Sequence, residues 1–146
     1  MANLRKDPYG RFNFRLEIDG IAQAAFSEVS GLASETEVVE YREGSDLPNT
    51  VRKLPGLTKY SNIVLKRGVT TDGSLWSWYK NVINGVPDSR NGSIILRNKQ
   101  GEDVLRWNFQ NGWPCKWEGP VLKATSSEVA IESIEIAHEG LDLEIA

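Results

Sequence analysis

The chain has 146 residues, 40% of them hydrophobic and 25% charged, with a formal charge of −3. That is one domain's length, 1–146, and enough to bury about two-thirds of the unfolded surface without a metal or disulfide. A single cysteine, Cys115, excludes an intrachain disulfide, and the negative balance argues against nucleic-acid binding through a broadly basic face.

Residues 1–10 read as an extended arm, broken by Pro8 and Gly10. The opening MANLRKDPYGRFNF has no apolar stretch or cleavage site of a signal peptide, so synthesis in the cytoplasm is expected, with any exit by another route. No run approaches the roughly 18 apolar residues of a membrane span, so no membrane insertion by the monomer is expected. Phe12, Phe14, Leu16 and Ile18 alternate with Asn13, Arg15 and Glu17, the period of a half-buried strand. Asp19-Gly20 is a hairpin signal, so a strand starting at Ile21 should return antiparallel to the first. Its alanines, Ala22, Ala24 and Ala25, are weak strand formers that allow close approach.

A strand over Thr36–Glu43 stops at Gly44, and another covers Asn62–Arg67. Between them, 44–61 reads as a long inter-strand loop holding Pro48, Pro55, Arg52 and Lys53. It also carries Leu47, Val51, Leu54, Leu57 and Tyr60, more apolar surface than a solvated loop leaves in water. Either it folds back on its own domain, or it is an arm buried against another subunit.

Leu75, Tyr79 and Val82, widened by Trp76 and Ile83, predict a helix over 73–84, with Thr71 or Asp72 as N-cap and Gly85 as left-handed C-cap. Ser93–Asn98 and Val104–Asn111 form a hairpin around Lys99-Gln100-Gly101-Glu102, with Leu105, Trp107 and Phe109 on one face. Residues 112–120 read as irregular. The last strand, Glu128–His138, slips in pattern, and a bulge near Glu132-Ser133 would align Val129 and Ile131 with Ile134 and Ile136. The sum is mainly β, an antiparallel β-sandwich or barrel of seven or eight strands with one flanking α-helix.

No catalytic, metal or cofactor constellation emerges, so no enzyme is expected. Cys115 and His138, each the only one of its type, have neither an orienting group nor an oxyanion loop around them, and they cannot form a recognised structural zinc site. Core packing accounts for Trp76 and Trp107, which leaves Trp113 and Trp117 as the only platform for a carbohydrate ligand.

FSEVSGL, EVVEYREG, KLPGLTKYSNIVLKRG, the helix LWSWYKNV and the closing ATSSEVAIESIEIAHEGLDL occur in this order. Together they resemble the tail tube protein of contractile phage tails and contractile injection systems, from about Tyr9 to Leu143. The resemblance implies a fold related to the tube protein of type VI secretion. It also implies six copies in a ring, with a continuous inner β-barrel around a channel and with rings stacked into a hollow tube. A contracting sheath would drive that tube through a target envelope, carrying DNA or an effector protein. The implied partners are the chain itself, the sheath, baseplate or spike and tube-terminator proteins, within a phage tail or injection particle. The long loop is then the ring-to-ring contact, through Leu47, Val51, Arg52, Lys53, Leu54, Leu57 and Lys59. Gln23, Ser27, Glu37 and Glu40 are candidates for the channel wall. Two alternatives stand beside this: a tube-initiator or baseplate ring protein of the same family, and a monomeric carbohydrate-binding β-module.

Overall fold

Strand β1 spans Phe14–Ile18 in the computed structural model, which describes residues 13–19, 21, 26–45, 49–125 and 127–145. Leu16 and Ile18 are buried, while Arg15 and Glu17 take the opposite face, as the alternation dictates. Ile18 bridges back to Ile21 at the expected turn. The arm of 1–10, Gln23, Leu47 and the three alanines lie outside the described residues.

Residues 22–25 of the expected return strand lie outside the described residues, and its later part, β2 (Glu28–Ser30), lies along β5 (Ile63–Gly68). Gly31 makes the turn after it at φ +87, and a Cβ there would sit 1.9 Å from the Asn62 carbonyl oxygen, so only glycine fits.

β3 (Ser34–Tyr41) and β4 (Arg52–Tyr60) form a two-stranded sheet of their own. Most of the expected 44–61 loop is therefore strand. Pro55 hid this, because proline removes a ladder donor, but among the described strands β4 is paired on one side only and tolerates it. Gly56 and Leu57 together oppose Glu37, a bulge that shifts the register between Thr36 and Val38.

Helix α1 covers Ser74–Ile83, and its N-cap is Gly73, with no side-chain cap bond, rather than the expected Thr71 or Asp72. Asp72 Oδ1 accepts from the Ser74 amide at 3.0 Å and from its hydroxyl at 2.8 Å, and these bonds, the backbone one first, hold its carboxyl below the usual carboxylate range. At the other end the Gly85 N–H bonds to Val82 and the Val86 N–H to Asn81, a Schellman motif with Gly85 at φ +73. The buried stripe is Leu75 and Trp78. Trp76, expected in the core, is 43% exposed, because the helix turns Trp78 inward instead. The Trp78 indole donates to the Asp88 carbonyl at 2.8 Å. The Asp88 carboxylate accepts from Arg90 (2.9 and 2.8 Å) and Asn81 (2.9 Å), and the Arg90 bonds hold its carboxyl below the usual range. Arg90 also donates to the Asp19 carbonyl, tying the loop after the helix to the end of β1.

The remaining strands are β6 (Arg90–Arg97), β7 (Asp103–Glu118), β8 (Ile131–Ala137) and β9 (Gly140–Ile145). The large sheet runs β1-β6-β7-β8-β5-β2, with β9 also on β7. β7 joins its two halves. Its first part pairs β6 and β9, and its second part pairs β8. The chain turns this corner at Asn111, at φ +52, and continues as strand to Glu118, where the sequence had suggested irregular backbone. Gly112 follows because a Cβ there would meet the Phe109 ring at 2.6 Å. Strands that change layer at such irregularities make the corners of folded-over sheets.

Both halves bury side chains in one core: Leu16, Ile18, Ile94 and Phe109 from one, Ile63, Leu65, Ile134 and Ile136 from the other, and Leu75 and Trp78 from the helix. β8 has no bulge against β5. Its inward face is Glu132, Ile134 and Ile136, while Val129 and Ile131 stay outside. The expected bulge gives way to a buried ion pair, Glu132 Oε1 to Arg67 Nε at 2.7 Å. Arg67 also donates to the Asp72 carbonyl and lies over the Phe26 ring.

Candidate assembly surface

The β3–β4 hairpin joins the body between Ala33 and Ser61, whose amide donates to the Ala33 carbonyl at 3.1 Å. His138 Nε2 lies 2.9 Å from the Ser61 carbonyl, and its ring packs beside Tyr60. Beyond this base, every residue of β3 and all of β4 except Tyr60 are exposed. Val38, Val39, Tyr41, Val51, Leu54 and Leu57 all stand in solvent, Leu57 at 72%. Among the described strands, these two pair only with each other. A lone hairpin is marginally stable in water, and an uncovered edge with apolar side chains invites another chain.

The register distributes the named residues. Glu35, Glu37, Val39 and Tyr41 share a face with Lys59, Leu54 and Arg52; Val38 and Glu40 share the other with Pro55 and Lys53. Glu37 and Glu40 therefore lie on opposite faces, and one face can present only one of them. Ser27 sits apart on the body, its amide bonded to the Lys66 carbonyl at 2.8 Å. The basic side chains named for the ring-to-ring contact are set against carboxylates of the same hairpin. Lys59 lies opposite Glu35 and Lys53 opposite Glu40, and Arg52 reaches Glu43 at 4.0 Å. Cross-strand pairs of opposite charge stabilise a ladder modestly. What remains for a partner is largely the apolar set.

Other chemistry is sparse. The Cys115 Sγ faces the Glu135 carbonyl and carboxylate and the Asn62 amide. Burial first, then the Glu135 charge, pushes its thiol up, opposite to what a nucleophile needs. Both His138 nitrogens lie on backbone carbonyls, those of Gly140 and Ser61, and not on the cysteine. Among the described residues no group of three metal-ligating side chains converges, and no helix is long and apolar enough to cross a membrane. Trp113 and Trp117 fall on opposite faces of β7, because the register shifts at Cys115. Trp117 packs on the core and against Trp76, while Trp113 is 40% exposed. They form no common platform.

Known structures share this architecture. The chain is 26% identical to a protein of the PVC extracellular contractile injection system, seen in the sheath–tube complex in its extended state, with a TM-score of 0.80 over 95% of this chain and 93% of that one. It is also 26% identical to a protein in the tube-terminating cap of the anti-feeding prophage, with a TM-score of 0.82 over 100% and 97%. Hcp1 from Flavobacterium johnsoniae shares the fold, at 15% identity and a TM-score of 0.60 over 92% and 97%. A search of curated proteins returned no significant match. The model of the T4-like virus tail tube protein gp19 family matches residues 10–142, and the chain belongs to that family.

Proposed function

We propose that this structural tube subunit works by closing six copies into a ring and stacking rings into a hollow tube, with the β3–β4 hairpin as the ring-to-ring contact. One observation carries the reading: a body with a closed core holds out a whole hairpin that buries almost nothing in the lone chain. Val51, Leu54 and Leu57 supply the apolar contact, and Arg52, Lys53 and Lys59 fix its register through their carboxylate partners. A ring formed by a closing heterologous interface has two different faces, which permits open-ended stacking. Joining sheets around a ring also removes exposed strand edges.

The role is mechanical, with no catalytic step. The tube conducts DNA or an effector protein, and a polar wall lets the passenger slide. Ser27 and one of Glu37 and Glu40 contribute to that wall. Sheath, baseplate or spike, and tube-terminator proteins are its partners within a contractile particle. Negative-stain microscopy of the purified chain tests this directly. Six-fold rings and long rods are expected; a strict monomer over a wide concentration range overturns the reading, and rings that never extend favour an initiating or baseplate ring.

A further inference from the structure

We infer that the apolar patch formed by Val69, Val121, Leu122, Val129 and Ile131 is the socket that receives the β3–β4 hairpin of a second copy of this chain. Val121 and Leu122 are 79% exposed and Val129 is 74% exposed. With Lys123, Glu128, Ala130 and Ile131 they line a cleft of about 370 Å3. The cleft has a fixed wall, since the Val69 amide bonds to the Ala130 carbonyl at 3.0 Å and Gly68 pairs with Ile131. Clustered exposed aliphatic side chains of this kind mark an interaction site more than scattered ones do.

Position in the fold names the occupant. The hairpin leaves the body through Ser61 and Asn62, just before Ile63 opens β5. The patch gathers where β5 ends, at Gly68 and Val69. Six residues of extended strand separate the two by roughly 17 Å. Two apolar surfaces at opposite ends of one strand do not meet within a chain, and a two-fold pair that joined them would close on itself and could not extend into a stack. Repeated head to tail, they satisfy each other in every copy. The chemistry matches as well. One hairpin face presents Val39 and Leu54 with Leu57 at the bulge, and the patch presents aliphatic side chains of similar size. Both sides carry charges of both signs, Lys123 and Glu128 in the cleft and Glu37 and Lys59 on that hairpin face.

The inference rests on the stacked-ring reading, and the test separates the two. A socket variant, Leu122→Asp with Val129→Asp, and a hairpin variant, Leu54→Asp with Leu57→Asp, are purified as rings and compared with the unaltered chain by negative stain. All four side chains are exposed in the lone chain, so circular dichroism and thermal melting should show both variants folded. Each variant alone should lose rods at least ten-fold. A one-to-one mixture of the two kinds of ring should give stacks of two, one intact hairpin layer meeting one intact socket layer. Normal rods from the socket variant, or a mixture that stays as single rings, overturns the socket and leaves the stacked-ring reading standing. Absence of rods from the unaltered chain overturns both.

Discussion

β4 and β5 are consecutive strands separated by Ser61 and Asn62, and they have opposite fates. β5 lies between β2 and β8, and its Ile63 and Leu65 are fully buried. β4 pairs with β3 alone, and its leucines and proline stand in water. Both carry large apolar side chains, Leu54, Leu57 and Tyr60 in β4 and Ile63, Val64 and Leu65 in β5, so their neighbours make the difference. A strand flanked on both sides and covered on a face is part of the folding unit. A strand flanked once and covered on neither face has its burial still to come. The body can therefore be destabilised by single core substitutions, whereas the hairpin should register substitution only in assembly.

Four experiments sharpen or break that contrast. Phe109 fills the corner of β7, and its ring lies against Gly92 and Gly112 so closely that neither tolerates a Cβ. Phe109→Ala should cost about 4 kcal/mol, read as a lower urea midpoint at unchanged slope. A loss under about 1 kcal/mol would mean that the corner is not part of the cooperative unit.

Glu132→Ala comes next. It leaves the buried Arg67 guanidinium without its carboxylate, and a loss of about 3 kcal/mol is expected. Replacing both partners by Arg67→Met and Glu132→Leu should recover most of that stability. If the double variant were as weak as the single one, the pair would be more than a tolerated burial.

Acid titration gives a smaller effect. The folded-state values of Asp88 and Asp72 are both lowered, the first by Arg90 and the second by Ser74. The unfolded chain therefore binds those protons more readily. Their contribution is complete above the ordinary aspartate value of about 3.9 and is lost as pH falls below it, through the lowered folded values. Asp88→Asn should cost about 1–2 kcal/mol near neutrality and flatten the acid limb of stability below about pH 4. An unchanged acid limb would mean that the Arg90 brace contributes no pH-dependent stability.

Smallest of all should be Leu57→Ala in the lone chain, within about 0.5 kcal/mol of the parent in thermal unfolding. The same substitution should reduce rod formation clearly by microscopy. A large stability loss would show the hairpin folded onto its own body in solution and would erase the contrast between the two strands.

Much of this was legible in residue order. Period-two alternation placed β1, β5 and the first half of β7, and the Gly-containing hairpin loop placed β6. The Gly85 signal ended α1, because a left-handed C-terminal turn is local chemistry, whereas the N-cap fell on Gly73 and not on Thr71 or Asp72. The family resemblance lay in the run of short motifs from Tyr9 to Leu143. Three features were hidden because each breaks a local rule for a distant reason. β4 carries a bulge and a proline, and it tolerates the proline because it is paired on one side only among the described strands. β7 changes its inward parity at Asn111 and again at Cys115, so no single alternation describes it. β8 turns Glu132 inward, which makes sense only once Arg67 of β5 is opposite. The two loop tryptophans looked like a pair until the register shift separated them.

The sequence by itself determined the repertoire of elements, since backbone periodicity, caps and turn residues act over a few positions. Only the tertiary structure decided which apolar side chains are used within the chain and which stay outside. Burial depends on what another part of the chain brings against a surface. Nothing in the described chain comes against the β3–β4 hairpin or the patch at the far end of β5.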